Sequence, residues 1–218
     1  MAEPATASVE RRAMAFDRLE IAYDDRVLEP RPWTAQQSHW AAELIADAPA
    51  GPVLELCSGV GHIGLLAIAR RPRPLVCVDV SPVACAYARR NAEAAGLSRL
   101  VDVREGRLDE ALTVDERFAV VIADPPWVPS AETGRFPQDP LLAIDGGPDG
   151  LDVARECLRV AARHLLPDGD LVLQVGTRGQ AEILAGECDM LRLDEVRYCE
   201  RGVLARFHCD TASSASGQ

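Results

Sequence analysis

The chain has 218 residues with 34 acidic side chains against 23 basic ones, a net charge of −11, and every one of the 23 cations is arginine. Without lysine there is no Schiff-base chemistry and no P-loop ammonium for nucleotide phosphates. The negative balance also disfavours non-specific nucleic-acid binding, which runs on neutralising phosphates. The length suits one domain with a sizeable core.

In chain order, residues 1–18 are expected to be a flexible N-terminal arm. They contain no apolar h-region and so no signal peptide, and no stretch approaches a membrane span, which points to a cytoplasmic protein without a membrane partner. Leu19–Tyr23 and Arg26–Glu29, either side of Asp24-Asp25, predict a short hairpin before Pro30. Thr34 and Gln37 read as a capping box, followed by Trp40, Ala41, Leu44, Ile45 and Ala48 at helical spacing. A strand–helix alternation follows: strand Val53–Cys57, helix Ile63–Ala69 stopped at Arg71-Pro72-Arg73-Pro74, and strand Leu75–Asp79. Next come a helix capped by Ser81 with Pro82 in its first turn and Gly96 past its end, then strands Leu100–Val103 and Phe118–Ala123. Helix Leu151–Leu166, strand Asp170–Val175, a helix near Gln180–Cys188, and strands Leu191–Tyr198 and Val203–His208 complete the pattern. The expected fold is α/β: a doubly wound, Rossmann-like, mostly parallel sheet with an antiparallel C-terminal edge hairpin, spanning 19–209 as a single domain. Residues 210–218, small and polar, are expected to be a disordered tail. The seven cysteines are odd in number and lack C-x-x-C spacing, which reads as reduced thiols with no metal site. The cluster Arg70-Arg71-Pro72-Arg73 reads as a solvated loop.

The segment Ser58-Gly59-Val60-Gly61-His62-Ile63-Gly64 opens a helix directly after a buried strand, and Asp79 ends the next strand. Glycines there admit a ligand to the backbone, the helix N-terminus offers free N–H groups, and a carboxylate at the neighbouring strand end can hold two ribose hydroxyls. Gly59-x-Gly61-x-x-Gly64 also matches the dinucleotide fingerprint. Against NAD stands Glu55, inside the strand, which suits a ligand carrying a cationic amino-acid group better than a pyrophosphate. Further on, Asp124-Pro125-Pro126-Trp127 ends a strand at the edge where open α/β sheets bind ligands. Two prolines fix the backbone and leave carbonyls outward, an acceptor cluster suited to an –NH2 group, with Trp127 available to stack on a planar substrate.

Glu55-Leu56-Cys57-Ser58-Gly59-Val60-Gly61, Asp79 and Asp124-Pro125-Pro126-Trp127 together resemble the class I S-adenosylmethionine-dependent methyltransferases. Within them the chain is similar to the HemK-type protein glutamine methyltransferases. Val27-Leu28-Glu29-Pro30-Arg31-Pro32-x-Thr34 looks like that family's segment ahead of the cofactor core, and Ala143-x-Asp145-Gly146-Gly147-x-Asp149-Gly150-Leu151 like its double-glycine segment. The resemblance covers about residues 19 to 175 and implies S-adenosylmethionine as cofactor. It implies Gly59 and Gly61 against the methionine part, with Cys57 in the same loop. Glu55 would serve the amino group directly or through water, Asp79 the ribose, and Thr34 the methionine end. Asp124 would accept from the target amide, the Pro125 carbonyl would be a second acceptor, and Pro126 and Trp127 would shape the pocket.

Two departures stand out. The turn's usual first residue in glutamine methyltransferases is Asn rather than Asp, and Asp before an aromatic is reminiscent of adenine amino-methyltransferases. Where relatives carry an acid facing the adenine in a Gly-Asp-Leu stretch, this chain has Gly106-Arg107-Leu108, which leaves Leu108 as the cofactor contact and Asp109 as a candidate substitute. The expected reaction is methyl transfer to a nitrogen, foremost a protein glutamine side chain. The alternatives are the exocyclic amine of an rRNA or DNA base, or a small-molecule amine. Residues 128–150, expected to overhang the substrate, carry a net −3 and would repel a phosphate backbone. A family-type N-terminal substrate domain is not seen ahead of the hairpin, which leaves a partner subunit or a homo-oligomer as a candidate source of substrate docking.

Overall fold

The computed structural model describes residues 10–210. Strands β1 (Arg12–Phe16) and β2 (Leu19–Tyr23) form an antiparallel hairpin closed at Asp17, which takes φ 54°. The strand expected at Arg26–Glu29 does not form. Asp24, 1% exposed, accepts from the Arg26 backbone N–H and guanidinium and from the Tyr87 hydroxyl, which ends the strand pair in a local turn. The partner of β2 is instead the preceding segment, within the expected arm. There Met14 and Phe16 join Ile21, Tyr23, Val60, Leu66 and Tyr87 in one apolar cluster. Residues 1–9, the rest of that arm, and 211–218, nearly all of the expected tail, lie outside the described residues.

Helix α1 (Ala35–Asp47) follows a single 3₁₀ turn at Pro32–Thr34. The capping box expected at Thr34 and Gln37 is absent. Thr34 sits in the αR region and turns its hydroxyl back to the Arg31 carbonyl at 2.8 Å, and Gln37 is fully buried and directed into the sheet. A capping box does occur at Thr177 and Gln180, opening α6.

The alternation is otherwise as the sequence predicts: β3 (Val53–Leu56), α2 (His62–Arg70), β4 (Leu75–Asp79), α3 (Pro82–Ala94), β5 (Val101–Glu105) and β6 (Phe118–Ala123). After β6 come the short α4 (Leu141–Ile144), α5 (Asp152–His164), β7 (Leu165–Val175), α6 (Arg178–Gly186), β8 (Arg192–Tyr198) and β9 (Val203–His208). Ser81 caps α3, its hydroxyl accepting from the Ala84 N–H, with Pro82 at the first helical position and Gly96 at φ 71° beyond the end. Strand β7 begins at Leu165, so α5 ends earlier than its periodicity suggests.

The seven strands lie in the order β5-β4-β3-β6-β7-β9-β8, the first five parallel and β9 antiparallel to both neighbours. Strand β6 is buried on both faces. Val121 and Ala123 face the cluster under α5 and α6, while Val120 and Ile122 face the cluster under α1 and α2. Burying each of the two valines and the isoleucine contributes about 1.5–3 kcal/mol. The chain winds outward from β3 to β5, then returns to β6 and winds the other way. The C-terminal ends of β3 and β6 therefore flank the switch point of the sheet, where the two crossovers part and leave a crevice.

In the arginine cluster at 70–73, Arg70, Arg71 and Pro72 are exposed as expected, but Arg73 is not a solvated side chain. Arg73 donates to the carbonyls of Ile45, Ala48, Pro49 and Gly51 around the end of α1, and Arg70 pairs with Asp17 at 2.8 Å. No helix among the described residues is long and apolar enough to cross a membrane.

Candidate active site

At the end of β3 the chain must reverse into α2 within a few residues, and it does so through left-handed conformations at Cys57 (φ 55°), Gly59 (φ 52°) and Gly61 (φ 79°). Cys57 is the one non-glycine, and its thiol lies 3.9 Å from that of Cys157. The two glycines differ in purpose. A Cβ on Gly59 would meet nothing within 4 Å, because Gly59 borders an open cavity, whereas a Cβ on Gly61 would press on Ala88 of α3 at 3.2 Å. Gly61 is thus required for packing and capping α2, not for contact with the cavity.

Glu55 is 2% exposed and does not reach the cavity. Its carboxylate accepts from the Gly64 N–H at 3.0 Å and from the Cys77 thiol at 3.4 Å, and burial raises its pKa to about 7. It therefore holds the first turn of α2 against β3, and Gly64 has no room for a Cβ beside it. The direct contact with a cofactor amino group expected of Glu55 is not made possible by this placement. A carboxylate occupying an N–H of the helix's first turn also opposes a pyrophosphate there, which weighs against the dinucleotide reading.

Asp79 ends β4 beside this turn. Its two oxygens accept from the Gly59 N–H at 2.7 Å and the Ser81 N–H at 2.8 Å, and burial raises its pKa above the usual carboxylate range. Thr34 lies on the opposite wall. Its hydroxyl proton goes to the Arg31 carbonyl, so it accepts from His62 Nε2 at 3.2 Å. His62 is consequently protonated on Nε2, with Nδ1 unpartnered, and burial lowers its pKa to about 4 and keeps it neutral.

The turn at the end of β6 is braced from behind. The Gln37 side-chain amide donates to the Ala123 carbonyl at 2.9 Å and the Val172 carbonyl at 3.1 Å, tying the last residue before Asp124 to β7. The double-glycine segment braces it in front. A Cβ on Gly146 would stand 2.7 Å from the carbonyl oxygens of both Pro126 and Gly150, so only glycine lets these backbones meet. Gly146 donates to the Val128 carbonyl at 2.9 Å and Val128 to that of Ile144 at 3.0 Å. Trp127 lies with its ring edge over Gly176 at the end of β7.

Asp124 is the first residue of this turn and the only one whose side chain stands free. It accepts no hydrogen bond from any described residue, and its enclosure raises its pKa to about 7. Asp124 and Pro126 face the cavity; Pro125 and Trp127 do not line it. The cavity is about 360 Å³ and brings together Thr34, Cys57, Gly59, Asp79, Leu108 and Asp124 from the expected site, leaving out Glu55 and Gly61. Part of its remaining wall went unread in the sequence: Pro140 before α4, Leu142 within it, and Val153 and Glu156 on α5. Arg31, which lines the cavity, pairs with Asp139 at 2.7 Å, fastening the segment before α1 to the loop ahead of α4. No periodicity or motif marked that contact, since its partners are separated by 108 positions.

The cavity's own features match S-adenosylmethionine. It has open backbone at Gly59, an orphaned Ser58 hydroxyl, a free carboxylate at Asp124 and a second carboxylate at the strand end, and its three lining arginines, Arg26, Arg31 and Arg107, each face carboxylates rather than forming a cage for phosphate. A doubly charged amino-acid tail, a sulfonium and a ribose fit such a donor and acceptor set.

Sheet order, glycine turn and acid–proline turn together define a class I S-adenosylmethionine-dependent methyltransferase. Residues 37–138 match the family model of the methyltransferase small domain. The chain is 37% identical over 171 residues to the ribosomal protein uL3 glutamine methyltransferase of Bradyrhizobium diazoefficiens, covering 72% of this chain and 53% of that protein. It is 35% identical over 225 residues to the release factor glutamine methyltransferase of Rhodospirillum rubrum, covering 93% and 67%. Among solved structures, an RNA methyltransferase from Salinibacter ruber in complex with S-adenosyl-L-homocysteine shares the fold with a TM-score of 0.56 at 19% identity, covering 85% of this chain and 95% of that one. The chain belongs to the HemK-type protein glutamine methyltransferase family, whose cofactor is S-adenosylmethionine. It spans from about half to two thirds of the length of those two curated relatives.

Proposed function

We propose that this protein transfers a methyl group from S-adenosylmethionine to the side-chain amide nitrogen of a glutamine in a protein substrate, acting in the cytoplasm as one methyltransferase domain. The observation that carries this reading is the unpartnered Asp124 carboxylate on a proline-stiffened turn, facing the same cavity as Gly59 and Asp79. When bound, the cofactor supplies an electrophilic methyl on a sulfonium. Asp79 holds the ribose hydroxyls, Gly59 lets the chain approach the methionine part, and Leu108 gives an apolar face to the base.

Asp124 accepts from the amide –NH2, which places electron density on the nitrogen and fixes its direction, so the rate enhancement comes chiefly from orientation. As the nitrogen takes the methyl and the carbon–sulfur bond breaks, leaving a neutral thioether, the nitrogen becomes cationic and strongly acidic, so its proton passes to water afterwards and no residue needs to remove it beforehand. Gln37 and Gly146 act as positioning residues that hold the turn rigid. The curated relatives are named for protein substrates, uL3 and release factors, and the −3 charge of 128–150 supports a protein over a nucleic acid. A carboxylate in place of the usual amide at position 124 favours, as a second reading, the exocyclic amine of a base.

Labelled S-adenosylmethionine incubated with a purified release factor, ribosomal protein uL3 and total RNA discriminates them. Label on a glutamine, lost with Asp124→Ala while cofactor binding persists, is the expected result; label in RNA overturns the substrate assignment.

A further inference from the structure

Part of the cavity wall is built by Asp79–Ser81, Gly106–Leu108 and, on α5, Val153 and Glu156. Val80, Leu108 and Val153 give this part an apolar lining suited to a flat ring. A purine amine is a donor and needs an acceptor, and Asp79, which accepts from two backbone N–H groups, has its remaining acceptor capacity assigned to the ribose hydroxyls. Arg107 stands where an acid was expected, and its side chain supplies only donors.

One carboxylate on this wall is uncommitted. Glu156, one helical turn after Val153 and therefore on the same face of α5, lines the cavity with its side chain 25% exposed. It accepts no hydrogen bond from any described residue. Among the described residues the one cation within 4 Å is Arg107, at 3.8 Å, beyond hydrogen-bond length. Asp109, the substitute suggested by sequence position, is 49% exposed, sits on the other flank of Arg107 at 3.5 Å and does not line the cavity. The tight pairs elsewhere on this helix, such as Arg155 with Glu187 at 2.7 Å, show what a committed carboxylate looks like here.

We infer that Glu156, steered by Arg107, accepts from the exocyclic amine of the cofactor's purine, so that an acid from α5 replaces the missing one after β5. This rests on the S-adenosylmethionine reading of the cavity. It makes Glu156 a specificity residue for 6-aminopurine over 6-oxopurine: the oxo form turns an acceptor toward the carboxylate and is repelled.

The test is calorimetric binding of S-adenosylhomocysteine and its deaminated analogue S-inosylhomocysteine to the whole chain. A hydrogen bond to a charged acceptor predicts that the wild type prefers the amino form by about tenfold to a hundredfold. Glu156→Ala should remove that preference. Glu156→Gln, whose amide can donate to an oxo group, should bind the inosyl analogue more tightly than the wild type does. Asp109→Ala should leave the preference unchanged. Thermal unfolding of each variant confirms that it is folded. A preference that survives Glu156→Ala, or falls with Asp109→Ala instead, overturns the assignment. A wild type that binds neither ligand overturns the cofactor reading itself, a distinct result.

Discussion

Replacing Asp124 by Asn removes a charge while keeping the shape of the side chain and one carbonyl acceptor. The carboxyl titrates near 7 in the folded protein against a reference of 3.8, and the cause is desolvation with no compensating hydrogen bond. For a fully buried group that displacement corresponds to about 4 kcal/mol. One side of the cavity is open to water, so about 2 kcal/mol is the expected effect after screening. The sign follows from proton uptake: the folded state binds the proton more tightly, so stability is lost as pH rises from about 4 to about 7 and the penalty is complete above that. Asp124→Asn should therefore match the wild type near pH 4 and exceed it by about 2 kcal/mol near pH 8, some 4–8 °C in Tm for a domain of this size. Glu55 also titrates near 7, but it is present in both proteins and largely cancels in the difference. Thermal unfolding of both proteins across that pH range, without ligand, reads the effect. A difference that is flat with pH, or a variant less stable near pH 8, refutes the reasoning. A destabilising carboxylate retained at this point is what a functional role would require.

Three further outcomes are expected. Gly59→Ala should lower stability by about 1–2 kcal/mol through its φ of 52° and should weaken S-adenosylhomocysteine binding by far more than that strain explains; titration calorimetry giving unchanged affinity would contradict the open-cradle reading. Gln37→Ala strips its donor from two carbonyls in the buried sheet and should destabilise by about 2–4 kcal/mol in urea unfolding; a loss below about 1 kcal/mol would mean those carbonyls find other donors. Breaking the Arg31–Asp139 pair from either side should raise the KM for the acceptor with kcat changed less, and a double-mutant cycle should return about 1 kcal/mol of coupling. Independent effects of the two substitutions would show that the contact does not fasten the two segments.

The strand–helix alternation, the edge hairpin of β8 and β9, the Ser81 cap and the three segments of the site were all legible in the sequence. Each is written locally, in an apolar run, in a proline or glycine at a fixed offset, or in a polar residue beside them. The local signal misled where distant partners competed for the same groups. Gln37 has the spacing of a capping residue but finds better acceptors on β6 and β7, and Glu55, expected to serve the cofactor directly or through water, is held by Gly64 and Cys77 out of direct reach of the cavity. Asp24 drew the expected hairpin one strand too far along the chain, because its side chain closes a turn with Arg26 and Tyr87.

The sequence by itself determined the winding of the sheet, the left-handed glycine turn after β3, and an acceptor turn at the end of β6, because these depend on the conformational limits of glycine and proline and on the period of apolar residues. The tertiary structure alone decided which carboxylates are free to meet a ligand. Asp79, Asp124 and Glu156 line one cavity while Glu55 lies behind its wall, since freedom of a buried charge is set by the groups that surround it in space, and those come from segments far apart in the chain.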